Sequence, residues 1–108
     1  KIDYLRNTIA IKEFKIGMFY LKKNAPTPAI KRFSKILKDF QGTSVIPQTL
    51  FRIAESFMIL GMNEEANKSL EILKYNFPNN QWTKQANNIN NKNVDEKNKK
   101  GFFSRIFK

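Results

Sequence analysis

Two stretches of this chain decide its fold: residues 14–40, FKIGMFYLKKNAPTPAIKRFSKILKDF, and residues 51–77, FRIAESFMILGMNEEANKSLEILKYNF. They align without a gap at an offset of 37 residues, and at eight pairs of positions small residues meet small ones and large apolar residues meet large ones. An alignment by chance would not keep this order over such a length, so the chain contains an internal repeat. The matching pairs are Phe14 and Phe51, Ile16 and Ile53, Gly17 and Ala54, Tyr20 and Phe57, Ala29 and Ala66, Phe33 and Leu70, Ile36 and Leu73, and Phe40 and Phe77.

Each repeat unit is predicted to contain two helices, because apolar residues recur at spacings of three and four. Prolines separate the helices of the first unit, since proline lacks a backbone donor and restricts the residue before it. In the second unit Gly61 is a typical residue after a helix end, and Asn63 can cap the next helix. Trp82 belongs to a short capping helix and is expected to pack it against the second unit. The predicted helices cover about 3–23, 28–40, 47–60, 63–75 and 80–90.

The order of residue sizes within a unit indicates the fold class. A large residue, a small one and an aromatic one on the first helix, followed by a small and a large one on the second, is typical of tetratricopeptide (TPR) repeats. Two unrelated hairpins would not share this order. The sequence therefore predicts an all-α fragment of an α-solenoid, with TPR-like units at about 5–41 and 47–78 and a capping helix at about 80–90. The repeat of 37 residues exceeds the usual length of about 34, and we place the extra length in the loop at 41–46.

Composition narrows the function. The chain has no Cys and no His. It therefore cannot supply Cys or His ligands for structural zinc, a thiol nucleophile or a catalytic histidine. Its acidic residues fall on helix faces or caps, and none pairs with a base at catalytic spacing. The four glycines form no phosphate-binding loop. We therefore expect a protein that is not an enzyme, and we predict no cofactor and no metal.

The net charge of +11 is unevenly distributed. Residues 1–40 carry ten basic and three acidic side chains, residues 41–80 three and four, and residues 81–108 seven and two. The positive charge therefore lies towards both ends of the chain, and it favours an anionic partner. Such a partner could be an acidic protein face, an anionic lipid surface or nucleic acid. Alternatively, the basic side chains are simply solvated at the surface.

The first helix is apolar nearly all round, and such a helix is buried on several sides. Four apolar residues fall where TPR arrays line their concave face: Phe14, Met18, Leu21 and Phe51. They are expected either to pack against a further repeat or to form a groove for a peptide. Repeat arrays usually need about three or more units for stability, so we expect this chain to be the C-terminal piece of a longer array, or to be covered by a partner.

Polarity changes sharply near the end of the chain. Residues 91–100 are rich in Asn and Lys with one apolar residue, which predicts a disordered linker. Residues 101–108, GFFSRIFK, then form an apolar and basic segment in which Phe103, Ile106 and Phe107 fall on one side of a short helix. This segment is expected to dock onto a partner protein or a second copy of the chain, to lie in a lipid interface, or to be an end without function.

Several motifs together resemble the BamD family of outer-membrane β-barrel assembly lipoproteins, over about residues 5–86. The resemblance implies a periplasmic, lipid-anchored TPR scaffold on the outer membrane that binds the POTRA region of BamA and smaller accessory lipoproteins. The lipid-bearing Cys would belong to a part of the protein before this chain. One departure is the turn at residues 24–26, Asn-Ala-Pro, where the family usually has Gly-Ala and an aromatic. The motifs that carry the resemblance are RNTIA (6–10), EF (13–14), YLKK (20–23), AIKRF (29–33), LGM (60–62) and YNFP (75–78).

A basic stripe on the second helix is the candidate binding edge. It consists of Lys31, Arg32, Lys35 and Lys38, and Arg32 matches an arginine that supports the BamA contact in the resembling family. The stripe is either a solvated helix face or a charged docking edge. The alternative function is a generic basic TPR module that binds anionic membrane or nucleic acid. Nucleic-acid modules interleave exposed aromatic and basic residues, whereas the aromatics here occupy core positions, so no nucleic acid is expected.

Overall fold

The computed structural model describes residues 2–91, with side chains described from residue 3 to residue 89, and within them it contains five α-helices and no strand. Consecutive helices pack against each other from the first to the fourth, and the fifth packs against the third and the fourth. None of these helices is long and apolar enough to span a membrane. The all-α fold of TPR-like hairpins is thus confirmed. The helices are α1 (Ile2–Lys22), α2 (Pro26–Asp39), α3 (Ile46–Ile59), α4 (Asn63–Asn76) and α5 (Gln81–Asn91).

The turns inside the two hairpins obey the same 37-residue offset as the sequence. Asn24 and Gly61 occupy equivalent positions and both adopt the left-handed backbone conformation, with φ of 60° and 76°. In each turn the following backbone N–H, of Ala25 or of Met62, donates a hydrogen bond of 2.9 Å to a carbonyl five residues earlier. Asparagine tolerates this conformation better than most residues other than glycine. The turn at Asn24, which departs from the usual Gly-Ala, therefore has the same conformation and hydrogen bond as the turn at Gly61.

One helix start and one helix cap differ from the prediction. α2 begins at Pro26 instead of Pro28, because the first-turn N–H groups of a helix have no intrahelical partner and both prolines fit there. Asn63 was predicted to cap α4, and this is wrong: it is the first helical residue, and the N-cap is Met62, without a side-chain hydrogen bond. The left-handed Gly61 sets the entry into α4, so no polar cap is needed to turn the chain.

The core consists of two clusters of buried side chains that are joined across α2 and α3. One lies in the first hairpin and includes Ile53 from α3, and the other lies between α3, α4 and α5. Leu37, Ile46 and Phe57 pack against both clusters, which makes the hairpins one continuous core. The first cluster contains Phe14, Leu21, Ala29, Phe33, Ile36 and Ile53, and the second contains Leu50, Phe51, Ala54, Ala66, Leu70, Leu73 and Ala86.

The small residues of the repeat on α1 and α3, Gly17 and Ala54, are both buried, and Gly17 packs directly against the ring of Phe33. A Cβ added to Gly17 would lie 2.8 Å from Cδ1 and 2.9 Å from Cζ of the Phe33 ring. In the second unit the equivalent residues are Ala54 and Leu70, and both are fully buried. The larger phenylalanine is thus paired with glycine in the first unit, and the smaller leucine is paired with alanine in the second.

This complementarity gives a prediction. Gly17→Ala is expected to lower the free energy of unfolding by about 1–2 kcal/mol, since overpacking a core costs about 1–3 kcal/mol and outweighs the better helix propensity of alanine. Phe33→Leu alone is also expected to destabilise the chain, because it leaves a cavity opposite Gly17. The double variant copies the second unit and should lose less than the sum of the two. Urea unfolding of the four proteins measures this, and purely additive losses would contradict the proposed pairing.

Candidate partner-binding surface

Arg32 on α2 forms an ion pair with Glu13 on α1. Its Nη1 atom lies 3.2 Å from both carboxylate oxygens of Glu13. The Arg32 side chain is 40% exposed, whereas that of Glu13 is only 13% exposed. The guanidinium therefore lies at the surface and remains accessible, while the carboxylate lies beneath it between the two helices.

The other members of the basic stripe also lie on α2. Lys31, Lys35 and Lys38 are all exposed, and their spacings of three and four place them along one side of the helix. None of the three forms an ion pair with another described residue. Glu13 neutralises Arg32 but not these lysines, so the edge keeps a net positive charge.

The proposed concave groove is corrected by the structure. Leu21 and Phe51 are almost fully buried and Phe14 is 8% exposed, all within the core of this chain. Phe14 contacts the Phe33 ring at a centroid distance of 5.6 Å, and Phe51 contacts Trp82 at 5.3 Å. Their apolar surface is already covered by the chain itself, so they cannot also line a groove. Among the four candidates, only Met18 remains partly exposed.

The exposed apolar surface lies instead on the other side of α1. The helix is buried along the side that carries Ala10, Phe14, Gly17 and Leu21. The opposite side is the one left open, and Lys23 places its Nζ atom 5.4 Å from the Phe19 ring there. This surface, with its lysines, is a second candidate for contact. Its exposed large apolar residues are Tyr4, Leu5, Ile9, Ile11 and Phe19.

Two residues near the start of α1 hold the loop between the hairpins. Arg6 donates hydrogen bonds to the carbonyl oxygens of Asp39 (3.3 Å) and Gln41 (3.0 Å), which lie at the end of α2 and just beyond it. Asn7 accepts one from the backbone N–H of Ser44 at 2.8 Å. A cationic side chain at a helix C-terminus satisfies its free carbonyl groups and complements the helix dipole. Arg6 and Asn7 thus have a structural role that their sequence spacing did not indicate.

A second arginine–glutamate pair lies inside the protein. Arg52 Nη1 lies 2.9 and 3.1 Å from the Glu55 oxygens, and its guanidinium lies over the rings of Trp82 (5.0 Å) and Phe51 (5.6 Å). Burial raises the pKa of the Glu55 carboxyl to about 7, against the charge and hydrogen bonds of Arg52. Arg52 Nε is buried without a hydrogen-bond partner among the described residues. This network fastens α5 to α3 and confirms that Trp82 packs the capping helix against the second unit.

Comparison with models of known protein families identifies the family of this chain. The family model described as "YfiO: Outer membrane lipoprotein" matches residues 1–73 of the chain. The chain belongs to the YfiO/BamD family. The match covers α1 to α3 and most of α4, and it therefore includes both arginine–glutamate pairs and the basic stripe. The family membership expected from the sequence motifs is confirmed.

Two curated members of the YfiO/BamD family are similar to this chain, and both are called outer membrane protein assembly factor BamD. The protein from Rickettsia prowazekii is 43% identical over 86 residues, which cover 80% of this chain and 34% of the relative. The protein from Caulobacter vibrioides is 40% identical over 93 residues, which cover 86% of this chain and 30% of the relative. The chain thus spans about one third of the length of these relatives. No solved structure is significantly similar to it.

The C-terminal candidates lie outside the residues that the structure describes. The predicted linker at 91–100 extends beyond the end of α5, and the docking segment at 101–108 follows it. The assignment of Phe103, Ile106 and Phe107 to a docking surface therefore stays a prediction, as does self-association through this segment.

Proposed function

We propose that this chain is a non-catalytic scaffold in the assembly of outer-membrane β-barrel proteins. It binds the POTRA region of BamA and accessory lipoproteins of the assembly complex through the surface of its helical hairpins. It acts at the periplasmic face of the outer membrane. Because these 108 residues contain no Cys, the lipid anchor would be attached outside them.

Membership of a family described as outer membrane lipoproteins, with relatives called outer membrane protein assembly factors, supports this role. The observation that carries the binding proposal is the exposed guanidinium of Arg32 on an otherwise unpaired basic edge. A guanidinium offers five donors in a fixed plane and no acceptor, which suits a partner surface with carboxylate or carbonyl groups.

Lys31 and Lys35 contribute in a different way. Exposed charges at the rim of an interface mainly raise the association rate and add a dependence on salt. Arg32 is partly shielded and held in one geometry, and such a group contributes more to the lifetime of the complex. The edge therefore combines long-range attraction with one oriented contact.

The test is a binding measurement with the POTRA region of BamA from the same genome. Arg32→Ala is expected to weaken binding about tenfold or more, because hydrogen bonds to a charged group contribute about 1.5–3 kcal/mol. Lys68→Ala is the control, since Lys68 is a cationic and exposed residue on α4, away from the stripe. Circular dichroism should give the same helicity for all three proteins. An Arg32→Ala variant that binds like the parent would refute the assignment of this edge.

A further inference from the structure

The hydrogen bonds of Arg32 leave part of its guanidinium free. Only Nη1 contacts Glu13, and it lies 3.2 Å from both of the carboxylate oxygens. Nε and Nη2 make no hydrogen bond with any residue that the structure describes. These two atoms form one edge of the guanidinium plane, the edge that can donate two parallel hydrogen bonds to a single acceptor group.

The two side chains of this ion pair differ in their exposure to solvent. Glu13 is 13% exposed and Arg32 is 40% exposed. A partner protein can therefore reach the guanidinium much more easily than the carboxylate. Because a free arginine side chain has many rotamers, fixing it in advance reduces the entropy that binding must remove.

The repeat itself indicates that this pair is not needed to pack a hairpin. At the offset of 37 residues, the position of Glu13 is taken by Leu50 and that of Arg32 by Ser69. Both of these residues are buried, at 3% and 9% exposure, and neither carries a charge. The second unit therefore forms its hairpin with an apolar and a small residue at the same two positions. The ion pair is an addition that belongs to the first unit.

We propose that Glu13 is a positioning residue of the binding edge: it holds Arg32 so that Nε and Nη2 face an acceptor group of the partner. Glu13 does not touch the partner itself. This inference rests on the proposed function, which assigns Arg32 to the interface, because it adds that Glu13 holds Arg32 in position.

A double-mutant cycle on the 108-residue chain tests it, with the POTRA region of BamA as the probe. Glu13→Ala is expected to weaken binding about three- to tenfold. In the Arg32→Ala background the same change should have no further effect, because no guanidinium is left to position. Glu13→Gln, which keeps one acceptor oxygen, should recover part of the loss and serves as the second variant if Glu13→Ala does not fold. The combined Glu13→Leu and Arg32→Ser variant copies the second unit, and it should fold but bind no better than Arg32→Ala.

The outcomes separate the two proposals. Unchanged or tighter binding by Glu13→Ala, with Arg32→Ala weakened, would overturn only the positioning role; tighter binding would mean that Glu13 competes with the partner. Equal losses from Glu13→Ala in both backgrounds would also overturn it. Failure of the parent chain to bind the POTRA region would refute the proposed function, and with it the inference.

Discussion

Replacing Arg52 by alanine is expected to lower the free energy of unfolding by about 3–5 kcal/mol at pH 8, because it leaves the buried Glu55 carboxylate without its counter-charge. The Arg52 side chain is 15% exposed and that of Glu55 is 1% exposed, so water cannot replace the lost partner. The variant also loses the contacts of the guanidinium with the Phe51 and Trp82 rings. These contacts fasten α5, and the capping helix should loosen before the rest of the chain unfolds.

The chain offers a direct readout and a matched control. Trp82 is its only tryptophan, so a red shift of the fluorescence in the folded Arg52→Ala protein reports that α5 has moved away from α3. Arg32→Ala removes an arginine from the other arginine–glutamate pair, whose arginine is 40% exposed. This pair is more exposed to water than the pair of Arg52 and Glu55, so the control should lose less stability. Equal losses in the two variants would contradict the structural role given to the buried pair.

The stability of the protein is expected to fall by about 3 kcal/mol as the pH rises from 4 to 8, through Glu55 alone. The pKa of its carboxyl is raised from 4.5 to about 7, with desolvation as the largest cause. A group with a raised pKa holds its proton more tightly in the folded state than in the unfolded state. The folded state is therefore favoured at low pH, and the advantage is lost progressively between pH 4.5 and about 7.

Two effects compete at Glu55, and the experiment decides between them. Desolvation favours the neutral acid, while the charge and hydrogen bonds of Arg52 favour the carboxylate. Glu55→Gln mimics the neutral acid at every pH, so the difference in unfolding free energy between parent and variant isolates this residue. We expect the parent to match the variant near pH 4 and to be less stable at pH 8. A parent that is more stable than the variant at pH 8 would mean that the ion pair outweighs the burial.

Much of the fold could be read from the chain by local rules. The 37-residue repeat is visible in the sequence itself, and the spacing of small and aromatic residues and the prolines and glycines between helices act within one or two helical turns. They indicate the helices and the hairpins, and the burial of equivalent residues follows, as for Ala29 and Ala66 or Ile36 and Leu73. The start of α2 was predicted two residues too late, and Asn63 is the first residue of α4 instead of its cap.

The candidate binding surface could be predicted only in part, because only some of its features are properties of a single helix. The charge and spacing of the basic stripe are properties of one helix, and the sequence therefore pointed to Arg32. Its partner Glu13 lies 19 residues earlier, on another helix, and a contact across two helices leaves no local signature. Phe14, Leu21 and Phe51 were assigned to a partner because an apolar residue looks the same in a core and in a groove.

The sequence by itself determined the repeat and the helical class, since periodic patterns and local turn chemistry carry that information, and the resemblance of its motifs indicated the family. Only the tertiary structure decided which side of α1 stays open, which arginine is buried with its glutamate and which one stays at the surface. Those properties depend on how the helices are placed against each other. The same pairing of Arg and Glu fastens the capping helix at Arg52 and marks a candidate binding edge at Arg32, because their surroundings differ in exposure.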